Sequence, residues 1–229
     1  MKKIGILGGL SPESTVTYYE YITREYAKRF GDYGFPEIII YSVKFQDFIE
    51  LFCQGDWDRV ADEAVKRMKC LHKAGADFGL MATNTLHRVF DQVQKQSPIP
   101  LISIVESTIE AIKAEKMQTV GLLGTVSTMR EGFYVDQLAR EGIRAYVPSL
   151  EEQDKIQEII FSELTVGKVT DESKQFFLRT VKSLQEQGAQ GVILGCTEIP
   201  LVLSQQDCTL KLFDSTRLHA ESALRVSLE

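Results

Sequence analysis

Among side chains able to move protons, act as nucleophiles or hold a metal, the sequence offers four cysteines (Cys53, Cys70, Cys196, Cys208) and three histidines (His72, His87, His219). The cysteines lie far apart without CxxC spacing, and no histidine stands at ligand spacing from a cysteine or carboxylate, so no metal site is expected. Cys196 differs from the others in its setting. It follows the apolar run Gly191-Val-Ile-Leu-Gly195 and precedes Thr197-Glu-Ile-Pro200, a pattern that reads as a buried strand breaking into a helix start. A thiol there stands at a strand's carboxyl end, where open α/β sheets hold their ligands. The first amides of a following helix would favour its thiolate. The competing reading is a small buried hydrophobe, the commoner fate of a free cysteine.

The chain that must position this residue has 229 residues, 44% of them hydrophobic and 25% charged, which is ample for one large domain or two small ones. No apolar run is long enough for a membrane span. The segment Ile4 to Leu10 is short and laced with Gly5, Gly8 and Gly9, so it reads as a first strand and not a signal peptide. With reduced thiols and no export signal, the expected location is the cytoplasm. A net charge of −6 without a basic block gives no reason to expect nucleic acid as a partner, and a small molecule is expected instead.

Strands are expected at Lys2 to Leu7, Glu37 to Val43 and Phe78 to Ala82, and helices at Ser14 to Arg29 and Trp57 to Lys73. In the second of these helices Ala61, Ala64, Val65, Met68 and Leu71 share one face, and Gly75 ends it. A further helix carries Leu86, Val89, Phe90 and Val93, after which Ser97-Pro-Ile-Pro100 interrupts both helix and ladder. The alternation then resumes with strands at Leu101 to Ile104, Thr119 to Leu123, Ile143 to Val147 and the Cys196 segment, separated by helices. This order predicts an α/β fold with a parallel sheet in each half. The expected lobes are 1–98, joined by a returning helix at about 212–229, and 99–211. The loop Gly8-Gly-Leu-Ser-Pro-Glu13 lacks the G-x-G-x-x-G spacing, so no dinucleotide cofactor is expected.

The halves echo each other. Ile4-Gly-Ile-Leu-Gly8 matches Val120-Gly-Leu-Leu-Gly124, and Gly75-Ala-Asp-Phe-Gly-Leu-Met-Ala82 matches Gly188-Ala-Gln-Gly-Val-Ile-Leu-Gly195, at offsets of 116 and 113 residues. In this alignment Thr83 corresponds to Cys196. Two related lobes would present both residues at strand ends, with a ligand in the cleft between them.

The ordered set of Gly8-Gly-Leu-Ser-Pro-Glu-Ser-Thr15, Asn84-Thr85 with His87, Gly124-Thr125 with Thr128-Met129 and Phe133-Tyr134, Gly195-Cys-Thr-Glu-Ile-Pro200, and Asp214-Ser-Thr with His219 resembles the aspartate/glutamate racemase family almost end to end. The resemblance implies two pseudo-symmetric Rossmann-like lobes, a homodimer, no pyridoxal phosphate or other cofactor, and an acidic amino acid held between an acid/base residue on each face of its Cα. Racemisation removes the α-proton from one side and returns a proton on the other, which one group cannot easily do alone. Cys196 is expected as the main acid/base residue, with Thr83 opposite. A threonine at Thr83 departs from the family's usual second cysteine, and a hydroxyl needs an adjacent base. The resemblance links this Thr branch to racemases acting unequally on the two enantiomers. It leaves a single-cysteine decarboxylase or lyase, and a non-catalytic binder of acidic amino acids, as alternatives.

The substrate's carboxylates and a developing enediolate need donors at helix starts and hydroxyls. Ser11, Asn84, Thr85, Thr125, Thr128 and Thr197 are the candidates, each with a helix cap as its ordinary alternative. Lys168 lies near the position where the resemblance places a carboxylate-binding lysine. Lys44 and Gln46 are similar candidates, with solvent exposure as the default for all three. Glu13 and Glu198 either orient a neighbour or favour a helix N-terminus, the second reading being preferred. His87 would assist Thr83 only if a helix began early, and otherwise caps or packs.

Overall fold

Short β-branched runs alternating with amphipathic stretches fold into eight strands and eleven α-helices in the computed structural model, which describes residues 1–229. They divide into two units, residues 1–104 with 216–229, and residues 105–215.

The first unit holds β1 (Ile4–Gly8), β2 (Ile38–Ser42), β3 (Phe78–Met81) and β4 (Leu101–Ile102), all parallel in the order β2-β1-β3-β4. Successive side chains of a strand point to opposite faces, and both faces of this sheet are apolar. Ile4, Ile6, Phe78 and Leu80 pack with Tyr18 and Ile22 of α1 (Pro12–Phe30) and with Ala220, Ala223 and Leu224 of α11 (Ser215–Leu228). Leu7 and Met81 face the other way, among Phe48 and Leu51 of α2 (Phe45–Gln54), the stripe Ala61, Ala64, Val65, Met68, Leu71 of α3 (Trp57–Lys73), and Val93 of α4 (Phe90–Gln96). Burying each large side chain of such a stripe contributes about 1.5–3 kcal/mol, which is what fixes the register of β1 and β3.

The second unit repeats this plan with β5 (Thr119–Gly124), β6 (Arg144–Tyr146), β7 (Gly191–Gly195) and β8 (Lys211–Asp214), parallel in the order β6-β5-β7-β8. Its helices are α5 (Ile104–Ala114), α6 (Val126–Arg130), α7 (Phe133–Arg140), α8 (Leu150–Ser162), α9 (Asp171–Glu186) and α10 (Ile199–Val202). The repeat holds to the register. Ile4 pairs with Phe78, and at the two repeat offsets Val120 pairs with Gly191; Gly79 pairs with Leu101 as Val192 pairs with Leu212. Glycine punctuation in the sequence therefore marks a duplicated unit and not chance.

The proline-rich segment does not end the first unit. Pro98 and Pro100 lack N–H groups, but the Pro100 carbonyl still accepts from Gly79 N at 2.9 Å, so β4 joins as an edge strand and the chain leaves the unit only at Ile104. Residues 211–214, expected at the start of the returning helix, instead form β8. The chain thus passes between units at 104/105 and at 215/216, each time as it begins the helix that follows the last strand of a sheet. Its ends meet in the first unit, where Lys2 N donates to Ser227 O at 2.8 Å and Ser227 Oγ to Lys2 O at 2.7 Å. No helix is long and apolar enough to cross a membrane.

Candidate active site

In the second unit, β7 delivers Cys196 at its carboxyl end, 8% exposed. Cys196 Sγ donates to Glu198 Oε2 at 3.0 Å, and Thr197 Oγ1 donates to the same oxygen at 2.6 Å. Glu198, itself 5% exposed, therefore holds its carboxylate against the thiol. Gly195 permits this approach of strands, since a Cβ there would stand 2.9 Å from the Leu123 carbonyl oxygen and 3.1 Å from Thr128 Cγ2.

The electrostatics differ from the expectation of a thiolate favoured by a helix start. Burial pushes the Cys196 thiol well above its ordinary range, the Glu198 carboxylate pushes it further, and only the backbone N–H groups of Glu198 and Thr197 oppose them. The helix that follows, α10, has only four residues and begins beyond Glu198, too short a stack of peptide dipoles to offset desolvation. At neutral pH the Cys196 thiol rests neutral, hydrogen-bonded to Glu198 Oε2. Glu198 is the residue that sequence reasoning undervalued, because the preferred reading sent it to a helix N-terminus.

The other candidates of this unit separate. Thr125 caps α6, accepting from Thr128 N, and its hydroxyl lies 3.1 Å from that of Thr128. Thr128 is fully buried and packs against Gly124 and Gly195 at the strand ends. Thr197 is half-buried beside Cys196. Lys168 is exposed in the loop after Gly167 and lies near Glu163, whose carboxylate also accepts from Thr170 and Ser173.

In the first unit the corresponding strand end carries Thr83, half-buried. Its N–H donates to Met81 O at 2.8 Å and its carbonyl accepts from His87 Nδ1 at 2.9 Å, while its hydroxyl bonds to nothing in this unit. His87 therefore supports the backbone of Thr83 and does not serve as a base for its hydroxyl. Asn84 is buried and Thr85 half-buried, both at the start of a 3₁₀ turn over Thr85–Val89 that precedes α4, so no α-helix begins early enough to lay His87 beside the Thr83 side chain. Ser11 stands at the N-cap of α1 without a side-chain capping bond. The nearby turn needs Gly9, at φ +79, because a Cβ there would meet Val43 N at 2.6 Å, and Thr15 Oγ1 accepts from Gly9 N at 2.8 Å. Glu13 lies exposed in the first turn of α1, as an acidic residue favoured by the dipole. Lys44 pairs with Asp47 at 2.8 Å and Gln46 with Glu50 at 3.2 Å, both exposed along α2, a helix not anticipated from the sequence.

The family profile described as Asp/Glu/Hydantoin racemase matches residues 7–223. The chain belongs to this family. It is 27% identical over 232 residues to the broad specificity amino-acid racemase RacX of Bacillus subtilis (strain 168), covering 98% of each sequence. It also superposes on the crystal structure of an aspartate racemase homologue from Pyrococcus horikoshii OT3 with a TM-score of 0.89 and 37% identity over 100% of both chains. The aspartate racemase of Picrophilus torridus shares the fold, with a TM-score of 0.78 at 22% identity over 99% of this chain and 94% of that one.

Two buried histidines in the first unit make this racemase-family fold sensitive to acid. Burial lowers His87 to about 3, with its neighbour His219 adding to the effect, and lowers His219 to about 4. In the unfolded chain both titrate near 6.5, so between the folded and unfolded values the unfolded state binds more protons, and stability falls as pH drops through about 6.5. Each should cost about 2 kcal/mol between pH 7 and pH 5. Urea midpoints measured at the two pH values should differ accordingly, and identical midpoints would contradict this assignment of neutral histidines.

Proposed function

We propose that this family member is a racemase of acidic amino acids, aspartate or glutamate, acting without pyridoxal phosphate by α-proton abstraction and return. The observation that carries this reading is the buried Cys196–Glu198 hydrogen bond at the end of β7. A thiol this hard to ionise cannot serve as a standing thiolate. With a carboxylate already accepting its proton, it can act without creating net charge. As sulfur takes the α-proton, the S–H proton passes to Glu198 Oε2 and the C–H electron pair stays with the substrate as an enediolate. Negative charge thus moves from Glu198 to the substrate; run in reverse, the same transfer protonates carbon on the Cys196 face of an enediolate formed by proton loss from the opposite face. General acid/base assistance of this kind is worth about 10² to 10⁴ in rate.

Thr83 is proposed as the second proton-handling group, on the strength of its equivalent place in the repeat. Without a base of its own unit on its hydroxyl, it is the weaker partner. Ser11, Asn84, Thr85, Thr125 and Thr197 are proposed as donors to the substrate's carboxylates, and Lys168 as a cation for one of them.

The test follows the α-proton signals of L-Asp, D-Asp, L-Glu and D-Glu by proton NMR in D2O with the wild-type protein. Exchange is expected for an acidic amino acid, with unequal initial rates for its two enantiomers and equal amounts of both at equilibrium. No exchange with any of the four would leave a binder, and carbon dioxide release from a malonate-type acid in place of exchange would make the protein a decarboxylase.

A further inference from the structure

The two buried histidines form one connected structure whose polarity calls for explanation, because burying an imidazole is costly unless both ring nitrogens are matched. His87 Nδ1 lies 2.9 Å from the Thr83 carbonyl, which can only accept, so Nδ1 carries the proton; Nε2 accepts from Ile104 N at 3.0 Å, so it carries none. His219 has the opposite arrangement. Its Nε2 lies 2.9 Å from the Ile102 carbonyl and must be the donor, leaving Nδ1 to accept from Tyr18 OH at 2.7 Å. The rings meet edge to face with centroids 5.7 Å apart, and Phe90 stacks on His87 at 5.2 Å. Exposures of 2% and 0% leave no room for solvent to replace these bonds.

The chain of contacts has a direction. It begins at α1 with Tyr18, passes through His219 on α11 to Ile102 at the end of β4, and resumes at Ile104, where His87 carries it to Thr83. The turn after β3 is closed on its other side by Thr83 N to Met81 O and Ala82 N to Leu7 O. Both main-chain polar groups of Thr83 are thereby fixed, and the side-chain hydroxyl is the polar group left over for another task.

We propose that His87, with His219 behind it, is a positioning residue that sets the aim of the Thr83 hydroxyl by locking the Thr83 carbonyl to the β4–α5 junction through a single imidazole tautomer. The inference rests on the reading of Thr83 as a proton-handling group. A merely structural histidine would affect turnover of both enantiomers alike, whereas a positioning residue for Thr83 affects the enantiomer whose α-hydrogen that residue serves. Misplacement of a reacting group by about 1 Å can cost on the order of 100-fold.

The test has an arm that does not depend on activity. Imidazole nitrogen NMR of the wild-type protein at pH 7 should show His87 protonated on Nδ1 and His219 on Nε2, both neutral. Any other tautomer pair overturns the connectivity. In the second arm, initial α-proton exchange rates with both enantiomers are compared for wild type, His87→Leu and His87→Gln. His87→Leu should change the ratio between enantiomers by about 10-fold or more, at the expense of the slower one. His87→Gln, which keeps a donor and an acceptor, should recover part of the ratio and remains available if the leucine variant fails to fold. A folded variant with both rates lowered in the same proportion overturns the proposal. Absence of exchange in the wild type, with the tautomers as stated, would instead count against the racemase reading on which it rests.

Discussion

Cys196→Ala is expected to lower α-proton exchange about 10²- to 10⁴-fold while leaving the far-UV dichroism unchanged. The fold should tolerate it. The side chain is small, its strand is held by pairing of Gly191–Gly195 with β5 and β8, and the Glu198 oxygen that loses the thiol keeps the Thr197 hydroxyl at 2.6 Å. Loss of one such hydrogen bond costs on the order of 1 kcal/mol. The measurement compares single-enantiomer exchange rates of folded variant and wild type. Near wild-type exchange would remove Cys196 from the chemistry and reduce it to the small buried hydrophobe of the competing reading.

Glu198→Gln is expected to cost about 100-fold near neutral pH, and to change how the rate depends on pH. The amide keeps the side chain's shape but cannot take up the thiol's proton. It also removes the negative neighbour that holds Cys196 high, so the thiol of the variant ionises more easily than that of the wild type. Below the thiol's own titration the variant must lose its proton to water, so its rate should climb with pH. The wild type, passing the proton internally to Glu198, should be flatter over the same range. Profiles of kcat/KM against pH decide the matter, and superimposable profiles would mean that Glu198 only braces the turn.

Much of this was legible in the residues. Val-Ile-Leu between two glycines can only be a short buried strand, which is why Cys196 was placed correctly at its end. The duplicated glycine pattern marked equivalent positions in the two sheets, Ile4 pairing with Phe78 as Val120 pairs with Gly191. The Cys196–Glu198 contact was hidden because two residues apart is not a contact spacing in a helix. It becomes one here because the chain turns irregularly before α10, bringing the carboxylate back onto the sulfur. The burial of Thr128 was not legible because hydroxyls at strand ends look alike in sequence, whether they face solvent or, as here, pack against Gly124 and Gly195. The prolines misled for a related reason. They exclude a central strand, but a two-residue edge strand needs little from their missing N–H groups.

The bonds between Lys2 and Ser227 bring the two ends of the chain together, so the polypeptide is nearly a closed loop carrying the same strand order twice. Where a loop is cut decides which part counts as interrupted. In the natural order, residues 105–215 sit as an insertion between the two pieces of the other unit. If the ends were joined and the chain opened between Ile104 and Val105, both units would become continuous, residues 105–215 first and then 216–229 running into 1–104. Discontinuity of the first unit is thus a property of where the loop is opened, and the strand orders themselves are those of two uninterrupted copies in succession.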